Sequence, residues 1–351
     1  MRRDRQLVLI SSHIGMREAG DSGAQSTGRL HAIDTAKGIG ILFVVFGHAW
    51  RGAFHAGILR DEALFRAVDN MIYAWHMPLF FFLSGLLFLE VVERIEAAPF
   101  LASRVRRLLW PFVLWTWLFF GMKLLAGGAA NHPVTLADFP LIPLPPYEHL
   151  WFLWALFLSQ VLVLGLFRAL RPVLDVARLR VVFGVLAVAL TLLIPFFYVP
   201  SPTFGATVEH FPYFVAGIAL GGIANRKPPA WLVVMAGAVF GLLIWNASQI
   251  WASLLVSLVL TVSACIVFAR LDPGAERPSA PIAFLRLLGL YSLPIFLAHT
   301  IFSAAFRIGL LKVGVDGLNV HLLVATIVGL AGPIALVWGS RRLGVAKLLG
   351  F

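Results

Sequence analysis

The chain has 351 residues, 60% of them hydrophobic and only 13% charged, with a mean hydropathy of +0.89. A soluble domain carries about 25% charged residues, so the composition excludes a water-soluble globular protein and predicts an all-α, polytopic membrane helical bundle. One cysteine excludes an internal disulfide, no His/Cys run has metal-site spacing, and membrane lipids and insertion topology account for the net charge of +11 without a nucleic-acid partner.

Residues 1–30, rich in Arg, Ser and Gly, read as a flexible cytoplasmic extension; their apolar stretch, 7–10, is too short for a signal-peptide core. Residues 31–345 read as a single transmembrane domain. Crossing ~30 Å of hydrocarbon takes roughly 17–25 apolar residues. Runs of that order occupy 36–54, 71–89, 108–125, 150–167, 181–198, 208–224, 231–245, 250–269, 284–305 and 322–338. The seventh is short, and the sixth opens on Glu209-His210. Residues 231–269 are too long for one span, so the polar run 246–249 is expected to turn a helical hairpin. The result is about ten transmembrane helices.

The basic residues test this count. With the N-terminus in the cytoplasm, only Arg51, Arg60, Arg66, Lys123, Arg307 and Lys312 of the 28 Lys and Arg fall outside. Positive charge is retained on the cytoplasmic side, so the bias supports both termini inside (N-in/C-in). The expected location is the cell membrane, specifically the inner membrane of a bacterium.

Function has to come from polar residues held inside the membrane, where each is costly. In the first helix, Lys37 and His48 are eleven residues apart, which at about 100° per residue is ~20° past three full turns. Asp34 falls within ~40° of the same face. The line from cytoplasmic cation to deep imidazole is about 16 Å long. The same residues also fit a snorkelling lysine, a helix-capping aspartate and a structurally bonded core histidine.

Two more histidines lie at a similar depth. His76 opens the run His76-Met77-Pro78-Leu79-Phe80-Phe81-Phe82-Leu83-Ser84-Gly85 in the second helix, and His299 lies in the ninth. All three imidazoles are six or seven residues below the outer surface, about 9–10 Å deep at helical rise. A buried neutral-pH histidine needs a partner or a polar cavity, so a shared cavity is expected; three separately satisfied histidines are the alternative. Glu148 and Glu209 open the fourth and sixth helices from the outer side.

The pattern Asp34…Lys37-Gly38-Ile39…Gly47-His48, then the His76–Gly85 run, then Leu150-Trp151-Phe152-Leu153, then Leu297-Ala298-His299 resembles the membrane acyltransferase-3 family. The nearest branch is the one related to fucose O-acetylases. The likeness covers roughly residues 30–340, and its first two motifs are the specific ones. Lys37 stands where the family signature has Arg, with ten residues between it and the His that His48 matches. Lysine lacks the guanidinium fork for bidentate phosphate contact.

The resemblance implies a membrane-bound O-acyltransferase with about ten helices. Acetyl-CoA or another acyl-CoA is expected as a cytoplasmic donor substrate, with no bound cofactor and no metal. The acceptor is a hydroxyl of an extracytoplasmic or lipid-linked glycan, as in polysaccharide O-acetylation. Lys37 and Asp34 are the donor-binding candidates, with Arg104, Arg106 and Arg107 nearby; plain cytoplasmic anchoring also explains that trio. His48 is expected to be the general base or a transient acyl carrier, and His76 to orient it or polarise the thioester. Glu148, Glu209 and His299 are acceptor-site candidates, as are Tyr147, Trp151 and Tyr213, whose position equally fits an interfacial aromatic belt. The long, proline-containing outer loop 126–149 is placed to cover the acceptor. A transporter or flippase for a glycan or lipid-linked sugar is the alternative from another class, and a non-catalytic assembly subunit is a third.

Overall fold

The computed structural model describes residues 22–197, 200–221, 227–249, 253–272, 274 and 277–351. Among them there is no strand, and the chain folds as an all-α bundle. Helix α1 spans Ser22–His55, α2 Glu62–Tyr73, α3 His76–Leu86, α4 Phe88–Val92 and α5 Ala97–Arg104. A π-turn at Val105–Leu109 leads into α6, Trp110–Ala126, and α7 is Trp151–Leu170. Then follow α8 (Val176–Phe197), α9 (Gly205–Leu220), α10 (Ala230–Gln249), α11 (Leu254–Leu271), α12 (Ala280–Leu290), α13 (Ser292–Lys312) and α14 (Leu318–Arg342).

Each of the ten expected spans falls on helix, and nine helical runs among the described residues are long and apolar enough to cross a membrane. The sixth, α9, has 16 residues, about 24 Å of rise, and packs inside the bundle against α3, α7 and α8. The expected hairpin turn at 246–249 is displaced. Residues Asn246 and Ser248 bond back to Leu242 O and Trp245 O, and α10 continues through Gln249. Ser253 caps α11, while residues 250–252, like the expected extension 1–21 and the tips of the fifth and sixth spans, lie outside the described residues. The helix containing Asp34 starts at Ser22, so Asp34 is an interior residue and not a cap.

Two spans expected to be continuous are broken, for one reason. Proline lacks an N–H, and its ring collides with the carbonyl four residues earlier. Pro78 and Pro294 therefore interrupt the helix near Ala74 and Leu290, and new helices begin at His76 and Ser292. His76 opens the helix after the first break, and His299 lies about two turns into the helix after the second.

Small residues let backbones meet. A Cβ at Gly217 would lie 2.1 Å from Phe82 O, and one at Gly85 2.1 Å from Phe214 O, so α3 and α9 touch backbone to backbone. Without a hydrophobic driving force in lipid, such close packing supplies much of helix association. Gly217→Leu is expected to cost about 3 kcal/mol or more, because a backbone carbonyl cannot move aside like a side chain. The check is the fraction of detergent-solubilised protein that stays monodisperse after mild heating. Wild-type recovery of the variant would contradict the contact.

Next to Asp34, α1 is fixed at one end of the bundle. Thr35 Oγ1 donates to Asp272 Oδ2 at 2.6 Å, and Arg286 Nε donates to the same carboxylate at 2.6 Å. Burial opposes ionisation of Asp272, but the Arg286 and Thr35 bonds outweigh it and hold its pKa down to about 2. Carbonyls of Leu348 and Leu349 accept from Trp110 and Trp115, at the start of α6. At the opposite end, Arg51 meets Asp69, and Arg307 donates to Asn131 of the long loop at 3.0 Å.

Candidate functional site

At that opposite end, a cavity of about 260 Å³ opens among α1, α2, α3, α7 and α13, lined by His48, Arg51, His76, Glu148, His149 and Trp151. His48 projects from α1, half-buried, with no hydrogen-bond partner among the described residues. Its ring centre is 4.9 Å from that of His299 and 5.5 Å from that of His149, and the last two are 5.1 Å apart. Three imidazoles thus pack edge to face, and His76 lines the cavity with two of them, His48 and His149.

The backbone orients the rings around His48. His76 Nδ1 lies 2.7 Å from Ile72 O, in the last turn of α2. His149 Nε2 lies 3.0 Å from Phe296 O, and His299 Nδ1 lies 2.9 Å from both Ile295 O and Phe296 O. A carbonyl only accepts, so each of these nitrogens carries the hydrogen. The Phe296 carbonyl thereby ties α13 to the entry of α7. His149 itself sits on a 3-10 turn, Glu148–Leu150, entered through a Glu148 backbone at φ 49°. That left-handed conformation is strained for a residue with a side chain.

Charged side chains complete the mouth. Arg51, one helical turn beyond His48, makes a bidentate pair with Asp69 at 2.6 and 2.8 Å, and its guanidinium lies 3.3 Å from the centre of the Tyr73 ring. Glu148 pairs with Lys123 of α6, whose ammonium lies over Tyr147. Among the described residues, no group of three His, Cys, Asp or Glu side chains is arranged to hold a metal ion.

Lys37 lies on α1, eleven residues before His48, and forms an ion pair with Asp34 at 3.3 Å. Lys37 and His48 are thus separated by an unbroken stretch of helix. Arg106 and Arg107 are exposed on the π-turn, while Arg104 lies over the Phe100 ring.

The sequence-derived candidates separate cleanly. His48 and His299 pack ring against ring, and His76, Glu148 and Trp151 line the cavity with His48, whereas His299 is not among its lining residues. Asp34 holds Lys37. Glu209 lies on α9, away from the cavity lining, and Tyr213 points its hydroxyl toward Leu254 O. Two residues escaped the sequence reading. Arg51 shares the His48 face at a spacing of three, a signal present in the sequence but assigned to the outer loops. His149 directly follows Glu148, and nothing local announces that it turns inward.

A family model described as an acyltransferase domain matches residues 30–338. The chain is 29% identical over 199 residues to nodulation protein NolL of Mesorhizobium japonicum, covering 54% of this chain and 51% of that protein. It is 32% identical over 165 residues to nodulation protein NolL of Sinorhizobium fredii, covering 43% and 40% respectively. The chain thus spans about half the length, or less, of the curated relatives it matches. No solved structure matches.

Proposed function

The chain belongs to the acyltransferase domain family, and from that premise we propose that it moves a short acyl group, acetyl in the first instance, from cytoplasmic acyl-CoA to a hydroxyl of an extracytoplasmic or lipid-linked glycan. The observation carrying this reading is His48, an unpartnered imidazole opening into a small polar cavity. That cavity lies at the far end of the helix that carries Lys37 and Asp34. Drug-sized ligands occupy roughly 300–1,000 Å³, so a cavity of about 260 Å³ has room for an acetyl thioester and the reacting part of a sugar.

In this reading, Lys37 meets an anionic group of CoA at the cytoplasmic edge, with Asp34 holding its ammonium in place. The pantetheine arm follows the ~16 Å between Lys37 and His48. His48 takes the proton of the acceptor hydroxyl as its oxygen attacks the thioester carbonyl. The C–S bond then breaks, the ester forms, and the proton returns to the departing thiolate. Arg51, held by Asp69, and His76, held by Ile72 O, are placed to bind the carbonyl oxygen or the sugar. Glu148 and Trp151 line the acceptor side. The assay is release of free CoA by purified protein with acetyl-CoA and a glycan acceptor, together with the acetyl content of glycans from cells with and without the gene. Neither CoA release nor an acetyl difference across a panel of short acyl-CoA donors would refute the reading.

The donor route requires the start of α1 to face the cytoplasm. Reporter fusions after Asn131 and Ser201 are expected to read as extracytoplasmic, and fusions after Arg178, Arg277 and Lys347 as cytoplasmic. The retention of basic residues at the latter positions supports this orientation. A cytoplasmic signal at Ser201 would overturn it.

A further inference from the structure

We infer that His299 is the positioning residue of the site. Its Nε2 accepts the N–H of His48, leaving the other His48 nitrogen with its lone pair toward the substrate hydroxyl. This rests on the reading of His48 as general base.

The tautomer of His299 follows from its surroundings. Its Nδ1 is 2.9 Å from two carbonyls, Ile295 O and Phe296 O, so Nδ1 carries the hydrogen and Nε2 carries a lone pair. That Nε2 is fully buried and has no hydrogen-bond partner. A buried acceptor left unmatched is uncommon, and each instance asks for a donor. The nearest ring with a free N–H to give is His48, itself unpartnered. Two imidazoles joined by a bond of about 3 Å, with roughly one ångström from each nitrogen to its ring centre, have centres about 5 Å apart. The observed separation is 4.9 Å, with the planes inclined at 62°. The bond calls for the half-buried His48 ring to turn about its side-chain bonds.

The arrangement has a chemical consequence. An imidazole whose N–H is bound by a fixed acceptor presents its other nitrogen in one direction and in one tautomer, the service a third group performs for a catalytic base. When His48 takes the hydroxyl proton, the resulting imidazolium keeps its hydrogen bond to a neutral acceptor. The Phe296 carbonyl, which accepts from both His299 and His149, keeps His299 in the accepting tautomer.

Two substitutions separate this role from packing. His299→Asn retains a donor near the Nδ1 position but removes the acceptor at Nε2, whereas His299→Gln places an amide oxygen near Nε2. The expected result is a kcat loss of about tenfold or more for Asn with an unchanged donor KM, and recovery of most of that loss for Gln. A residue serving only packing would change the yield of folded protein in both variants and leave kcat per folded molecule alike. Independently of transfer, protein labelled with ¹⁵N-histidine is expected to show a ¹⁵N–¹⁵N coupling across the His48–His299 bond, assigned by its disappearance in His299→Asn. Absence of that coupling, or wild-type kcat in His299→Asn, overturns the inference. A wild-type protein that shows the coupling yet transfers no acyl group overturns the functional reading and leaves the hydrogen bond standing.

Discussion

His48→Ala is expected to abolish acyl transfer while leaving the amount of folded protein in the membrane nearly unchanged. The first half follows from position. His48 lines the cavity, touches the two imidazoles nearest to it, and is uncommitted to any carbonyl. His76, His149 and His299 each spend one nitrogen on the backbone, so none of them swings in to replace it. A general base contributes about 10²–10⁴-fold in rate. Folding is spared because His48 makes no hydrogen bond to the backbone, and truncating a half-buried ring beside an existing cavity leaves little new empty volume. The measurement is CoA release per folded molecule, with folded protein counted by size-exclusion chromatography. A residual rate above about a tenth of wild type would remove His48 from the chemistry and leave the cavity as a binding site only.

Lys37→Ala is expected to raise the donor KM by about ten- to a hundred-fold with little change in kcat, because charge-assisted hydrogen bonds contribute about 1.5–3 kcal/mol. Asp34 lies 3.3 Å from the ammonium, which restrains the side chain before the donor arrives and leaves two of its three N–H donors for a phosphate oxygen. Lys37→Arg is expected to keep much of the activity, since the charge persists and arginine binds phosphate well. The competing role is a lysine that merely extends to the interface. For that role, Lys37→Ala lowers membrane yield and leaves the donor KM where it was. Donor titration on purified variants distinguishes the two, and an unchanged KM would displace the donor site from α1.

The class of the molecule and the geometry within single helices were legible in the amino-acid sequence. Apolar runs long enough to span a membrane leave few options other than helix, since backbone polar groups in lipid must be satisfied internally. The helical repeat then places Lys37, Asp34 and His48 on one face at a known separation, and the structure retains that helix unbroken from Ser22 to His55. Tertiary structure decided everything that depends on one helix meeting another. The meeting of His299 with His48 and the absence of Glu209 from the cavity follow from which helices pack together, and no spacing along the chain encodes this. Proline breaks before His76 and before α13 redirected two spans that hydropathy reads as continuous. His149 was invisible for a related reason: it sits on a short turn after the irregular loop containing Pro145 and Pro146, where there is no helical period to extrapolate. Arg51 reads from sequence as a loop cation, and only the fold brings Asp69 and Tyr73 around it, because a charge inside a membrane protein is tolerated where packing supplies its partner.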